Sequence, residues 1–196
     1  MKFERGTICG FGINDMPKLA FVKDENGKLE LTQAYKTWTG IIDRCYRPGH
    51  EEKFKAYADC SVCEEWKYFS KFKKWFDENY IEGFDIDKDI LIKGNKVYSP
   101  EACSFVPRVI NLLFAKNRAR KSNLPRGVKY RKYGNRYSAE ISIEGKVKLI
   151  GYYKDINSAA EAYSQARKEY ILEIAEKYKD RLKSNVYEAI KRLSQD

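Results

Sequence analysis

Apolar residues recur at three- and four-residue steps in residues 34–49. Tyr35, Trp38, Ile41, Ile42 and Cys45 fall on one side of a helix that Pro48-Gly49 ends. The same period predicts a second amphipathic helix over SVCEEWKYFSKFKKWFDENY (61–80), striped by Trp66, Phe69, Phe72, Trp75 and Phe76. Aromatics at helical spacing read first as core. A strand, a turn at Gly94-Asn95 and a short strand follow, then a helix over PRVINLLFAK (107–116). Ahead of all this, LAFVK and LELT flank Asn26-Gly27 and predict a small hairpin.

Beyond residue 126 the period drops to two. GVKYRKYG, RYSAEISIEG and KVKLIGYYK read as three strands joined by Gly-Asn and Glu-Gly turns. Asp155 or Asn157 then caps a helix whose Ala159, Ala160, Ala162, Tyr163 and Ala166 lie on one face, and an exposed helix is expected from about Lys183. Between the two patterns, NRARKSNLPRG is a polar linker broken by Pro125 and Gly127. The predicted organisation is a hairpin segment (1–33), a first domain (34–116), a basic linker (117–126), a sheet-and-helix domain (127–175) and a helical extension (176–196). The fold class is α+β.

Alternation assigns the faces of the predicted sheet. Ala139, Ile141 and Ile143 point inward, as do Val128 and Tyr130. Lys129, Arg131, Tyr133, Glu140 and Ser142 point outward. On the third strand plain alternation puts Lys146 and Lys148 outward, opposite Val147 and Leu149.

Composition adds little to the fold and much to the function. The 196 residues carry a net charge of +10. Residues 108–136 hold ten Lys or Arg and no Asp or Glu. Removing those ten from 38 basic residues leaves 28, which equals the acidic count. The excess therefore sits in one segment, and an unmixed basic block fits a polyanion, most simply duplex DNA. A solvated linker is the alternative. No apolar run is long enough for a membrane span, and the start lacks an apolar secretory core. The five cysteines (9, 45, 60, 63, 103) then read as reduced thiols in a cytoplasm.

The stretch DIDKDILIKGNKVYSPEACSFV (85–106) raises the question of catalysis. Asp85, Asp87 and Asp89 alternate and would share a strand face, as hard-cation ligands do. Solvated carboxylates beside Lys88 and Lys93 are the plainer reading. Cys60-x-x-Cys63, with Cys45, Cys103 and His50, contains half the spacing of a zinc site, although Cys63 and Cys103 also read as small buried hydrophobes.

Two resemblances extend this reading. RGVKYRKYGNRYSAEISIEGKVKLIGYYKDINSAAEAYSQA resembles the plant ethylene-response-factor (Apetala-type) DNA-binding domain. That implies a three-stranded antiparallel sheet packed on a helix and docked in the major groove. Lys129, Arg131 and Tyr133 match its strand-one contacts, and Glu140 and Ser142 its strand-two contacts, with Tyr for Trp and Ser for Arg. Counting back from Gly151 puts the strand-three contacts at Val147 and Leu149, whereas chemistry favours Lys146 and Lys148. Arg131 would bind guanine, and the lysines would hold phosphates. Arg118, Arg120, Lys121, Arg126 and Arg136, flanked by Arg108 and Lys116, would extend the surface, with the linker reaching the minor groove.

In order, YKTWTGIIDRCY, CSVCEEWKYFSKF, DIDKDI and YSPEACSFV resemble the His-Asn-His (HNH) proteins of phages and mobile elements, many of which carry an Apetala-type domain. This implies a ββα-metal-finger. Asp87 matches its Asp, but Lys88 stands where the general-base His belongs and Ala102 where the loop-fixing Asn belongs. Asn111 falls near the last metal position. The expectation is therefore a degenerate, non-cutting finger without a cofactor, in a DNA-binding protein of phage or mobile-element origin inside the host cell. The alternatives are a Mg2+-dependent endonuclease using Asp87, Lys88 and Asn111, or a factor that binds a host defence protein.

Overall fold

The N-terminal segment pairs β1 (Thr7–Ile8) with β2 (Gly12–Ile13), and β3 (Phe21–Lys23) with β4 (Leu29–Leu31), both antiparallel. The second hairpin turns where Asn26-Gly27 requires. Asp24 Oδ1 accepts the Asn26 and Lys28 amides at 2.9 and 2.8 Å, and Gly27 takes φ +76°. Gly12 is needed for packing, because a Cβ there would lie 2.6 Å from Ile42 Cδ1.

This computed structural model describes residues 6–49, 52–53, 57–114 and 123–195. The chain divides into two compact units, Met1–Val106 and Pro107–Asp196, each taken by itself. The division lies upstream of the linker at 117–126. The reason is local: the helix after Pro107 is fastened to the second unit, as described below. Both helices and small sheets are present, so the fold is mixed α+β.

In the first unit α1 (Gln33–Tyr46) starts where the Thr32 hydroxyl accepts the Tyr35 amide. The second predicted helix is shorter than its aromatic stripe suggests. Its beginning is β5 (Ser61–Val62), then a 3-10 turn at Glu64–Lys67, and only then α2 (Phe69–Asn79). Tertiary pairing overrides the helical period here, because β5 runs parallel to β7 (Val97–Tyr98). β6 (Phe84–Asp87) pairs with β8 (Ser104–Pro107).

The core of this unit is aromatic: Trp38, Trp66, Phe69 and Phe72 are fully buried, and Trp75 stacks on Phe105 with centroids 5.5 Å apart. Trp38 Nε1–H donates to Trp66 O at 2.8 Å, whereas the buried Trp66 Nε1 has no acceptor among the described residues. The two tryptophans should therefore respond differently to loss of their N–H. Trp38→Phe strands a buried carbonyl and should cost about 1–3 kcal/mol beyond its packing loss. Trp66→Phe removes an unpaired donor and should cost less. Urea unfolding of the two variants compares them directly.

In the second unit α3 (Arg108–Phe114) exposes its final carbonyls to two cations. Arg126 Nη1 and Arg167 Nη2 donate to Leu113 O at 3.3 and 2.9 Å, an arrangement that suits the negative end of a helix. β9 (Val128–Arg131), β10 (Arg136–Ile143) and β11 (Lys146–Tyr153) form one antiparallel sheet, with β10 central. The β10–β11 turn uses Glu144 and Gly145, both at positive φ, as a two-residue hairpin requires. α4 (Ile156–Lys177) follows, and of the two candidate caps Asp155 is the one used, accepting the Ser158 amide at 2.9 Å. Ala159 and Tyr163 bury against the sheet.

The last helix, α5 (Ser184–Leu193), is not the exposed extension its polar residues suggest. Val186, Tyr187, Ala189, Ile190 and Leu193 form a buried stripe, and the helix packs on α4. Among the described residues, no helix is long and apolar enough to cross a membrane.

Candidate nucleic-acid interface

One face of the β9–β11 sheet takes α4; the other is open. Directly paired residues in antiparallel strands share a face. Lys129 pairs with Ser138 and Arg131 with Arg136, so these four lie with Glu140 and Ser142 on the face opposite Ala139 and Ile141. That is the arrangement alternation predicts.

The centre of the open face is an ion-pair cluster. Glu140 accepts from Lys129 Nζ at 2.7 Å, from Ser138 Oγ at 2.9 Å and from Arg131 Nη2. Arg131 Nε also donates to Ser138 Oγ at 3.0 Å. The Glu140 side chain is 9 % exposed, while Lys129 and Arg131 keep 58 % and 43 %. Burial alone raises the Glu140 pKa, but the three donors outweigh it and hold the carboxyl down at about 2. Two cations thus share one buried anion and keep much of their surface outward. Arg131 is aimed by Glu140 rather than swinging freely, a constraint that alternation does not reveal.

Other expected contacts fall in different settings. Tyr133 is 93 % exposed at the β9–β10 turn. The Arg136 guanidinium lies 3.8 Å from the Tyr152 ring centroid, stacked on its neighbour. Arg126 is committed to the α3 carbonyl. Lys116, Arg118, Arg120 and Lys121 lie outside the described residues, as does His50.

The strand-three expectation needs correction. Gly151 pairs with Ala139 and Leu149 with Glu140, so Ile150 is an extra residue in β11. This bulge shifts the alternation by one. Lys146 and Lys148 pair with Ile143 and Ile141, and Val147 and Leu149 share the open face with Lys129 and Arg131. The two lysines are exposed at the sheet end, but they do not belong to the open face. The count back from Gly151, taken from the resemblance, had pointed to the same two positions, Val147 and Leu149.

No family model, curated protein or solved structure matches the chain. The resemblances drawn from the sequence therefore rest on their motifs.

Charge divides sharply between the units. Pro107–Asp196 holds 21 Lys/Arg and 10 Asp/Glu; out of totals of 38 and 28, that leaves 17 and 18 for Met1–Val106. The excess thus belongs to the unit with the open sheet.

The carboxylate stretch does not form the single face its spacing suggests. β6 ends at Asp87, whose Oδ1 accepts the Asp89 and Ile90 amides at 2.9 and 2.7 Å, so the chain turns there. Asp89 instead meets Lys88 Nζ at 3.1 Å. Lys88 is buried, with its ammonium 6.0 Å from the Tyr57 ring centroid. Burial lowers its pKa, but Asp89 more than offsets this and keeps Lys88 above the ordinary lysine value. It is a fixed cation, not a proton acceptor.

Asn95 pins the loop between β6 and β7, donating from Nδ2 to Lys88 O and Val97 O, both at 2.7 Å. Asn111 lies in the second unit, whereas Asp87 and Lys88 belong to the first. Cys60 and Cys103 are buried and Cys45 and Cys63 half-buried, all as free thiols. Burial raises Cys103 and pushes Cys45 up to about 12, so both stay protonated. Among the described residues, His, Cys, Asp and Glu form no group of three or more suited to a metal ion.

Asp87 offers a test of this region. Burial, then the nearby Asp89 charge, push it from 3.8 up to about 6. Its folded-state value is raised, so its contribution to stability is complete below about pH 3.8 and is lost as pH rises through about 6. The melting temperature of the first unit should therefore fall across that interval. Asp87→Asn keeps the amide acceptor and should flatten this dependence in thermal scans at several pH values.

Proposed function

We propose that the chain is a duplex-DNA-binding protein that lays the open face of β9–β11 in the major groove, with α4 behind the sheet. The observation that carries this reading is the exposure of Lys129 and Arg131 on the face away from α4, in the unit that holds all the excess charge. The groove admits a β-sheet edge-on or face-on, and a cationic surface gains by releasing the counterions of phosphates. The Apetala-type resemblance gives the same docking face. The basic residues at 116–121 extend the proposed contact along the backbone.

In this proposal residues 34–116 derive from an HNH-like domain that does not cut, and the helix its finger would use, α3, has been taken into the second unit. The support for the loss of cutting is the buried, charged Lys88 at the general-base position and Ala102 at the loop-fixing position. The motif resemblance supports an origin in a phage or mobile element, and the odd number of cysteines, five, supports action inside the host cell.

A second reading, a factor that binds a host defence protein, draws on one observation: the β3–β4 hairpin exposes Phe21, Val22 and Leu29. Fluorescence anisotropy with a labelled mixed-sequence duplex over a salt series separates the two. DNA binding requires affinity that falls steeply and linearly in log–log form with salt. Flat or absent binding would favour the protein-binding reading. Plasmid nicking with Mg2+ that disappears in Asp87→Ala would restore the endonuclease.

A further inference from the structure

Resting on the DNA-binding reading, we infer that Val147 and Leu149 read the C5-methyl groups of pyrimidines in the major groove. Both share the open face with Lys129, Arg131 and Glu140 because of the bulge at Ile150. They are 65 % and 51 % exposed, and with Tyr152, which Arg136 covers, they are the large hydrophobic side chains that β11 exposes on this face. Among the described residues each stays more than half exposed, so its apolar area is open to a ligand.

The charges on the same face indicate a polyanion, and the apolar pair indicates which part of its groove is touched. Phosphates and most base edges present polar atoms. The C5-methyl of thymine is the exposed apolar group on the floor of the major groove, and it takes apolar side chains. The spacing agrees. Residues two apart on a strand stand about 6.8 Å apart, and stacked bases rise about 3.4 Å per step, so the pair spans two steps. Ser142 pairs with Val147, which puts a hydroxyl beside it for the neighbouring base edge, and Glu140, which pairs with Leu149, holds the Arg131 guanidinium on the same face.

The same methyl occurs in thymine and in 5-methylcytosine. The experiment therefore begins with selection of bound duplexes from a random thymine-containing library by the full chain, followed by affinity measurement on the selected site. Replacing its thymines with deoxyuridine removes only the methyls. The expected result is about a 3- to 4-fold loss per contacted methyl, roughly 10-fold for two. Methylating the site's cytosines tests the second source: a comparable gain there assigns the pair to 5-methylcytosine as well.

Val147→Ser/Leu149→Ser, at exposed positions, should bind the thymine and deoxyuridine forms equally, at the affinity the unaltered chain shows for deoxyuridine. Equal affinity of the unaltered chain for both forms, or a library that binds without enrichment, would overturn the methyl-reading inference while leaving DNA binding intact. Failure to bind any library member would instead overturn the DNA-binding reading itself.

Discussion

Lys129→Ala/Arg131→Ala should lower affinity for a short mixed-sequence duplex on the order of 100-fold at moderate salt. The argument begins with Glu140. In the native sheet this buried carboxylate, held down at about 2, is enclosed by two cations and a hydroxyl. The trio carries a net positive charge and turns it outward. Removing both cations inverts the sign, leaving an unpaired carboxylate on the face that meets the phosphates.

The loss therefore exceeds that of two ordinary phosphate contacts. The salt slope should also shrink by about two, since roughly 0.9 counterion is released per neutralised phosphate. Adding Glu140→Gln to the double variant should recover part of the affinity without restoring a cation. Recovery would identify the uncovered charge as the cause, and an unchanged circular dichroism spectrum would show that the sheet persists. If Glu140→Gln recovers nothing, the cluster is not electrostatically coupled to the ligand.

The largest expected effect on stability is at Gly127. This residue immediately precedes the first strand of the open sheet at φ +75°, and a Cβ added there would fall within the Tyr163 ring. Two costs combine: a left-handed backbone imposed on an L side chain, about 1–2 kcal/mol, and displacement of a packed aromatic, about 1–3 kcal/mol. Tyr163 joins α4 to the sheet, so the displacement loosens the support of the whole face. Gly127→Ala should therefore destabilise the second unit by about 3 kcal/mol or more, and should leave the first unit's melting transition where it was. Tyr163→Leu combined with Gly127→Ala should recover part of the loss by making room. Differential scanning calorimetry of the full chain resolves this if the units melt separately.

How much of this was legible in the sequence depended on whether each feature leaves a period. Helix α1 and the sheet strands did, because long runs at 3.6 or 2 residues survive local exceptions. The Asn26-Gly27 and Glu144-Gly145 turns were legible because each demands positive φ. The start of α2 was not, because β5 is only two residues long, too short to interrupt the stripe ending at Phe76. Its pairing with Val97–Tyr98 is a long-range fact that no window contains.

The β11 face was misjudged for a related reason. One extra residue, Ile150, inverts every side chain before it, and strict alternation has no means of signalling a bulge. The α5 stripe was visible in principle at Val186, Ile190 and Leu193, but the intervening charges masked it. At the candidate site, the identities of Lys129, Arg131 and Glu140 followed from alternation, while their mutual binding did not. The Asp85–Asp87–Asp89 alternation misled because a side chain capping its own turn ends the strand at Asp87.

The central claim is that the face of β9–β11 away from α4 meets the duplex. Amide chemical shifts of the labelled full chain, followed while a short duplex is titrated in, test it most directly. The claim predicts perturbations centred on Lys129, Arg131, Glu140, Val147 and Leu149, with α5 and the back of α4 unmoved. Perturbations centred on α4 and α5, or on the first unit with β9–β11 silent, would contradict it.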